Sequence, residues 1–239
     1  MKYTGLAMWI VLVGCALVAP SAVGAQGNPT GDSTKKRMLV YKPPAVGAPG
    51  GRVGGGTRGF GELPALSVLA PNHPGLTSQE QPSLYWYLSR LTAAPIELTV
   101  TAEQAVTPLL EMRLPPPSQP GVQRVRLADY DVRLAPGVRY RWFVALIPDP
   151  HNRSQDILAG GMIERTVPSN TLRTQLQQMR KAQAPYLYAE SGLWYDAVEA
   201  ISELIAAAPQ DAQWRQQRAM LLEQADLPDV AAYDRQQGQ

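Results

Sequence analysis

Between about Leu66 and Thr166 the apolar residues come in short alternating runs separated by turn formers, a period of two that a strand satisfies and a helix does not. In Ser83-Leu84-Tyr85-Trp86-Tyr87-Leu88, the side chains of Leu84, Trp86 and Leu88 fall on one face and those of Tyr85 and Tyr87 on the other. Further runs cover Ile96 to Thr101, Leu109 to Leu114, Val122 to Leu127, Val138 to Ile147 and Ile157 to Val167. With a strand near Ala65 to Leu69 they total seven, the immunoglobulin-type number, so residues 63–167 are predicted to form an Ig-like β-sandwich.

One local pattern sharpens that prediction. Leu134-Ala135-Pro136-Gly137-Val138-Arg139-Tyr140 resembles the L-x-P-G-x-x-Y corner of fibronectin type III domains, where the tyrosine hydroxyl bonds back to the backbone a few residues upstream. Pro-Gly makes the turn, and alternation then puts Val138, Tyr140, Trp142 and Val144 on one face. Tyr85, Trp86, Tyr87, Tyr140, Trp142 and Phe143 would make a sugar-stacking surface if exposed; at two-residue spacing most are expected in the core.

After Pro168-Ser169-Asn170 the composition shifts to Ala, Gln, Leu and Arg, and residues 168–239 are predicted to be an α-helical tail. Leu172, Leu176 and Met179 stand at helical spacing, Pro185 interrupts, and a short helix follows over Tyr186 to Glu190. Next, Trp194, Ala197, Ile201, Leu204 and Ala208 line one stripe that ends at Pro209. Gly192, Trp194, Ala197 and Pro209 resemble the turn, aromatic, small and terminal positions of a tetratricopeptide repeat, although Pro185 stands where that repeat packs a glycine. A partial repeat runs from Trp214 to Tyr233, with Ala231 at the small position. Since arrays need about three repeats, these helices are expected to dock on the sandwich or on each other.

The first 25 residues read as a secretory signal: Lys2, an apolar run from Leu6 to about Ala19, and small residues at Val23-Gly24-Ala25 before Gln26. Leu12-Val13-Gly14-Cys15 also fits a lipobox, which would anchor the chain through a lipidated Cys15. The apolar run continues past Cys15, which favours cleavage after Ala25. The expected location is therefore periplasmic or secreted, with the Cys15-anchored lipoprotein as the alternative. No later stretch approaches the ~20 apolar residues of a membrane helix. Cys15 is the one cysteine of the chain, so a mature protein starting at Gln26 has no disulfide and must rely on its core. The net charge of +2 and a charged fraction of 18% argue against a nucleic-acid partner.

Residues 26–62 form a Gly/Pro-rich segment in which Gly54-Gly55-Gly56-Thr57-Arg58-Gly59 satisfies G-x-G-x-x-G. A dinucleotide loop needs a buried strand before the glycines and a helix after them. Here Pro43, Pro44 and Pro49 precede the motif and Pro64 follows it, so neither flank is right and no cofactor is expected. A lesser reading is an anion-holding nest of Gly54, Gly55 and Gly56 flanked by Arg52 and Arg58.

Catalytic patterns are missing. His73 and His151 are the two histidines, and there is no H-E-x-x-H, G-x-S-x-G, Walker lysine or paired Cys/His spacing. The Asp149 to Asp156 loop gathers polar ligands, but such residues are the normal turn formers of a hairpin, so no metal is expected. Glu97, Glu103 and Glu111 lie on predicted strands at no telling spacing.

The mature chain from about Tyr41 to Tyr233 resembles the uncharacterised bacterial domain-of-unknown-function family nine-two-eight. The resemblance rests on Tyr41-Lys42-Pro43-Pro44, Gly47-Ala48-Pro49, Arg52 to Gly59, Gly75-Leu76-Thr77, Pro82 to Trp86, Tyr140 to Phe143, Arg153-Ser154 and Trp194-Tyr195-Asp196-Ala197. It implies export and no catalytic residues. The leading functional expectation is a non-enzymatic cell-envelope protein that contacts protein partners, with Arg52 and Arg58 on the wrap and Trp194 and Trp214 in the tail as contact positions. A periplasmic ligand-sensing or carbohydrate-binding module is the alternative, and an unrecognised hydrolase the third.

Overall fold

The computed structural model describes residues 38–44, 51–54 and 63–238. The signal segment 1–25 with Cys15, and Gly55, Gly56 and Arg58 of the glycine block, lie outside the described residues. Eight strands form among those described: β1 (Leu66–Val68), β2 (Gly75–Thr77), β3 (Ser83–Leu88), β4 (Ile96–Ala102), β5 (Leu110–Leu114), β6 (Gly121–Arg126), β7 (Arg139–Leu146) and β8 (Ile157–Arg165). They make a three-stranded sheet, β1-β3-β6, and a five-stranded sheet, β2-β8-β7-β4-β5. The seven strands expected from alternation are all present. The additional one, β2, has Leu76 as its one large apolar side chain, so no alternation registers, and it is held by parallel pairing of Gly75 to Thr77 with Ile163 to Arg165.

Register explains the core. Cross-strand pairs Ile96/Leu146, Leu98/Val144, Val100/Trp142 and Ala102/Tyr140 put one face of β4 and β7 together, and Ile157, Ala159 and Ile163 continue it on β8. Of these, Leu98, Val100, Trp142, Val144, Leu146, Ala159 and Ile163 have no exposed surface. Val138, expected on that face, precedes β7 and is exposed, because the strand begins one residue later. The corner behaves as its spacing requires: the Ala135 N–H donates to the Tyr140 hydroxyl at 3.0 Å, and Gly137 takes a φ of +72° that a side chain disfavours.

Strand β3 is buried along its whole length, on both faces. Leu84, Trp86 and Leu88 join the inter-sheet core, while Tyr85 and Tyr87 are covered by the helices that follow. Those helices are α1 (Asn170–Gln178), α2 (Ala184–Glu190), α3 (Trp194–Ala207), α4 (Ala212–Gln224) and α5 (Pro228–Gln236). Ser169 caps α1 by accepting from the Leu172 N–H, and Asp211 caps α4 through the Gln213 N–H. Pro185 and Pro228 sit in the first turns of α2 and α5, where a missing N–H is harmless. Trp194, Ala197 and Ile201 of the expected α3 stripe are fully buried.

The helices pack on the sheets as well as on each other. Tyr87 meets Tyr233 of α5 at 5.3 Å between ring centroids. Helices α3, α4 and α5 are clasped by Arg218, whose guanidinium forks onto Asp234 with two bonds of 2.7 Å and donates to the Ser202 hydroxyl at 2.9 Å, all three residues buried. Such a pair is tolerated in a core because each of the three guanidinium nitrogens has an acceptor.

The described parts of the Gly/Pro-rich segment run across both layers. The Leu39 and Tyr41 N–H groups donate to the Gln217 and Gln224 side chains of α4, and the Lys42 N–H donates to the Ala189 carbonyl at the end of α2. Val53 forms a two-bond bridge with Gly160 of β8. Gly192, in the α2–α3 turn, has a φ of +76°, and an added Cβ there would stand 3.0 Å from the Lys42 carbonyl oxygen, so the turn and the strap demand glycine together.

Candidate functional site

The first turn of α3 is where helices and sheets join. Three consecutive side chains each bond to a different part of the sheet layer. Trp194 Nε1 donates to the Leu69 carbonyl at 2.8 Å. The Tyr195 hydroxyl accepts from Trp142 Nε1 and donates to the Met162 carbonyl, each at 2.9 Å. The Asp196 carboxylate accepts from the Ser78 N–H at 3.0 Å and from the Ser78 hydroxyl. A helix that docks through its first turn projects its next turns along the sheet edge. That placement leaves Glu199 and Glu203, one and two turns on, beside an open cleft of about 330 Å³.

The cleft lies between α3 and the segment entering α2, with Gln79, Tyr188, Asp196, Glu199, Glu203 and Lys181 among its lining residues. Glu199 is fixed in place by the Gln79 amide at 2.7 Å and the Ser83 hydroxyl at 2.5 Å, whereas Glu203 is exposed. Burial pushes the Asp196 carboxyl up to about 6, against the opposing pull of its bonds to the Ser78 hydroxyl and amide and the Thr77 hydroxyl. The Tyr188 hydroxyl is raised first by burial and then by the negative field of Asp196, Glu199 and Glu203. Three carboxylates on one helix flank therefore create a cleft of negative potential, with Lys181 as the one lining cation among the described residues.

The sequence-predicted positions fall elsewhere. Trp194 has no exposed surface, packed edge-on against Tyr41 at 4.9 Å, which corrects the expectation that it meets a partner; an aromatic in the first turn of a docked helix faces the layer it docks on. Trp214 is half-buried against the core. Arg52 is engaged at a helix end. Its guanidinium donates to the Ala70, Ala225 and Asp226 carbonyls at 3.3, 2.6 and 2.7 Å and lies 3.7 Å from the Asp226 carboxylate, so it closes the α4–α5 turn. Gly54 has open space on its Cβ side, and the rest of the nest lies outside the described residues.

The other polar groups singled out are engaged in local structure. Glu97 pairs with Arg113 and Arg153, and Glu103 with Arg141, so these strand carboxylates answer arginines rather than one another. In the Asp149 to Asp156 loop, Asp149 accepts from the His151 N–H, Asn152 from the Ser154 hydroxyl, and Asp156 from Arg153. His73 stacks on Tyr41 with rings 3° from parallel, far along the chain from His151, which is exposed. No group of three His, Cys, Asp or Glu side chains suited to a metal occurs among the described residues. No helix among them is long and apolar enough to cross a membrane. Tyr85, Trp86, Tyr87, Tyr140 and Trp142 are all buried, as core packing requires.

Sequence reasoning placed Trp194, Tyr195, Asp196 and Ala197 together in a helix but passed over what Tyr195 and Asp196 do there. The available signal was the spacing of Asp196, Glu199 and Glu203, three acids on one flank of a helix whose other flank is apolar. No curated protein matches the chain. Residues 53–234 do match a family model, that of the Domain of Unknown Function (DUF928), and because the match takes in both sheets and α1 to α5, the chain belongs to that family.

Proposed function

We propose that this protein is an exported, non-enzymatic module of the cell envelope that holds a protein partner, and that the cleft along α3 receives a cationic segment of that partner. The observation that carries the reading is the field of that cleft, where Asp196, Glu199 and Glu203 face one lysine. Carboxylates gathered at a partly buried cleft attract a lysine or arginine more strongly than scattered, fully solvated ones do, and complementary charge of this kind speeds encounter and selects partners. At about 330 Å³ the cleft suits one or two side chains of a larger partner better than a bulky free ligand.

The finer architecture belongs to the same reading. We take the two sheets as a fibronectin III-like, Ig-like sandwich, supported by the Tyr140 bond at the Pro136-Gly137 corner, and α2 to α5 as two tetratricopeptide-like helix pairs, supported by Gly192 at the turn and buried Trp194, Ala197 and Ala231. Two pairs fall short of the three an array needs, and the sheets take the place of the missing neighbour. The ligand-sensing or carbohydrate alternative has less support, since Tyr85, Trp86, Tyr87, Tyr140 and Trp142 are buried and Phe143 alone of the named aromatics is half-buried.

Co-purification from envelope extracts, with wild type and Glu203→Arg side by side, tests the reading. A stoichiometric protein should be retained by wild type at low salt and weakened about tenfold or more by the charge reversal. Equal retention by Glu203→Arg, or a saturable thermal shift with a neutral sugar and no protein partner, would refute it. Export predicts a mature chain beginning at Gln26 by mass spectrometry, and a diacylglyceryl-modified Cys15 would replace that with the anchored form.

A further inference from the structure

The flank of α3 opposite the acidic cleft borders a second open pocket, of about 310 Å³, whose charge is reversed. It is walled by β6 and the segment before it on one side and by α3, α4 and α5 on the other, and Arg124, Arg215, Tyr85, Tyr233, Gln119 and Ile205 reach into it. We propose that this pocket binds an oxyanion, a phosphate or carboxylate group borne on a ligand with an apolar face, through Arg124 and Arg215.

The two arginines differ from most others in the molecule. Arg52, Arg113, Arg126, Arg133, Arg139, Arg141, Arg153, Arg165, Arg218 and Arg235 each lie within 4 Å of a carboxylate. Arg218, which also borders the pocket, is consumed by Asp234 and Ser202. Arg215 stands one turn before it on α4, with its Nε buried and without a hydrogen-bond acceptor among the described residues. A buried guanidinium N–H left without an acceptor is disfavoured, and an oxyanion offers two acceptors in the geometry of the arginine fork. Arg124, across the pocket on β6, is exposed and forms no ion pair with a carboxylate among the described residues, so its donors are available to a second oxygen.

The rest of the wall suits the organic part of such a ligand. The Tyr85 and Tyr233 rings and Ile205 supply apolar surface, and the Gln119 amide adds a donor and an acceptor at the rim. Glu199 and Glu203 act on Tyr85 from the far flank of α3, but the Glu199 carboxylate is committed to Gln79 and Ser83, and neither acid forms an ion pair with Arg124 or Arg215. The pocket therefore shares no ion pair with the acidic cleft, and its arginines are not neutralised by it.

The test follows the arginine side-chain N–H resonances of the mature chain by nuclear magnetic resonance during titration with inorganic phosphate and with citrate. Flotation with phosphatidylglycerol and phosphatidylcholine vesicles runs in parallel. A saturable shift of the Arg215 Nε–H, weakened about tenfold or more by Arg124→Gln, with binding of the same anion weakened as much by Arg215→Gln, supports the proposal. Flotation with phosphatidylglycerol alone, abolished by Arg124→Gln, identifies a lipid headgroup as the source; saturation by phosphate or citrate without flotation identifies a soluble one. Arg124 is exposed, so its variant remains informative if Arg215→Gln does not fold. No saturable shift with either anion and no flotation, or binding indifferent to both substitutions, overturns the proposal.

Discussion

Removing one oxygen from Tyr195 isolates the joint between helices and sheets. Tyr195→Phe keeps the ring, its tilted contact with Trp142 at 6.4 Å and the volume of the site. It deletes both hydroxyl bonds, leaving Trp142 Nε1 without an acceptor and the Met162 carbonyl without this donor. Trp142 has no exposed surface and Tyr195 only 1%, so water cannot easily replace the lost oxygen. A buried group left unpaired costs about 1 to 3 kcal/mol, and two such groups, less the desolvation the hydroxyl no longer suffers, give about 3 kcal/mol. In urea this lowers the midpoint by roughly 1 to 1.5 M with an unchanged slope. The Trp142 indole N–H should also exchange with solvent markedly faster than in wild type. A variant within about 0.5 kcal/mol of wild type, with the indole proton still protected, would refute the claim that this hydroxyl ties α3 to β7 and β8.

Other outcomes follow from the same contacts. Asp196 has a folded-state pKa of about 6 against an ordinary 3.8, so its contribution to stability is greatest below pH 4 and is lost as pH rises to 6. Asp196→Asn, which mimics the protonated form, should gain on wild type by about 3 kcal/mol between pH 4 and pH 7; a pH-independent difference in urea stability would show that burial does not govern this carboxyl. Asp234→Ala strands the buried Arg218 guanidinium and should destabilise by about 3 to 5 kcal/mol by chemical denaturation, with an effect below 1 kcal/mol counting against the clasp. Tyr140→Phe loses a single, part-buried bond to the N–H of exposed Ala135 and should cost about 1 kcal/mol, clearly less than Tyr195→Phe in the same assay.

The parts legible in the sequence are those that local rules govern. Seven strands were readable because one face of each meets a core, and alternation of Leu98 with Thr99 or Trp142 with Phe143 records that directly. The Pro136-Gly137 turn, the Ser169 cap and the end of α3 before Pro209 were readable because turn and cap chemistry lie within a few residues. Strand β2 was not, since its pairing to β8 joins Gly75 to Ile163 and its single large apolar residue, Leu76, sets no alternation. Nor could alternation tell that Tyr85 and Tyr87, on the second face of β3, would be covered by helices more than a hundred residues later.

The site shows the same division. The acids at 196, 199 and 203 share a helix flank by spacing alone, so their proximity to one another was determined by the sequence. What they face was not: Ser78, Gln79 and Ser83 approach only because Trp194, Tyr195 and Asp196 anchor the first turn of α3 to the sheets. In the same way, spacing places Arg52 beside the glycine block, but not at the α4–α5 turn that it closes, where backbone carbonyls left open by the helix end lie within its reach. Periodicity and turn chemistry act within a few residues of chain, and the sequence determined what they control; burial and charge act between segments far apart in it, and the tertiary structure alone decided which side chains became joint, cleft or pocket.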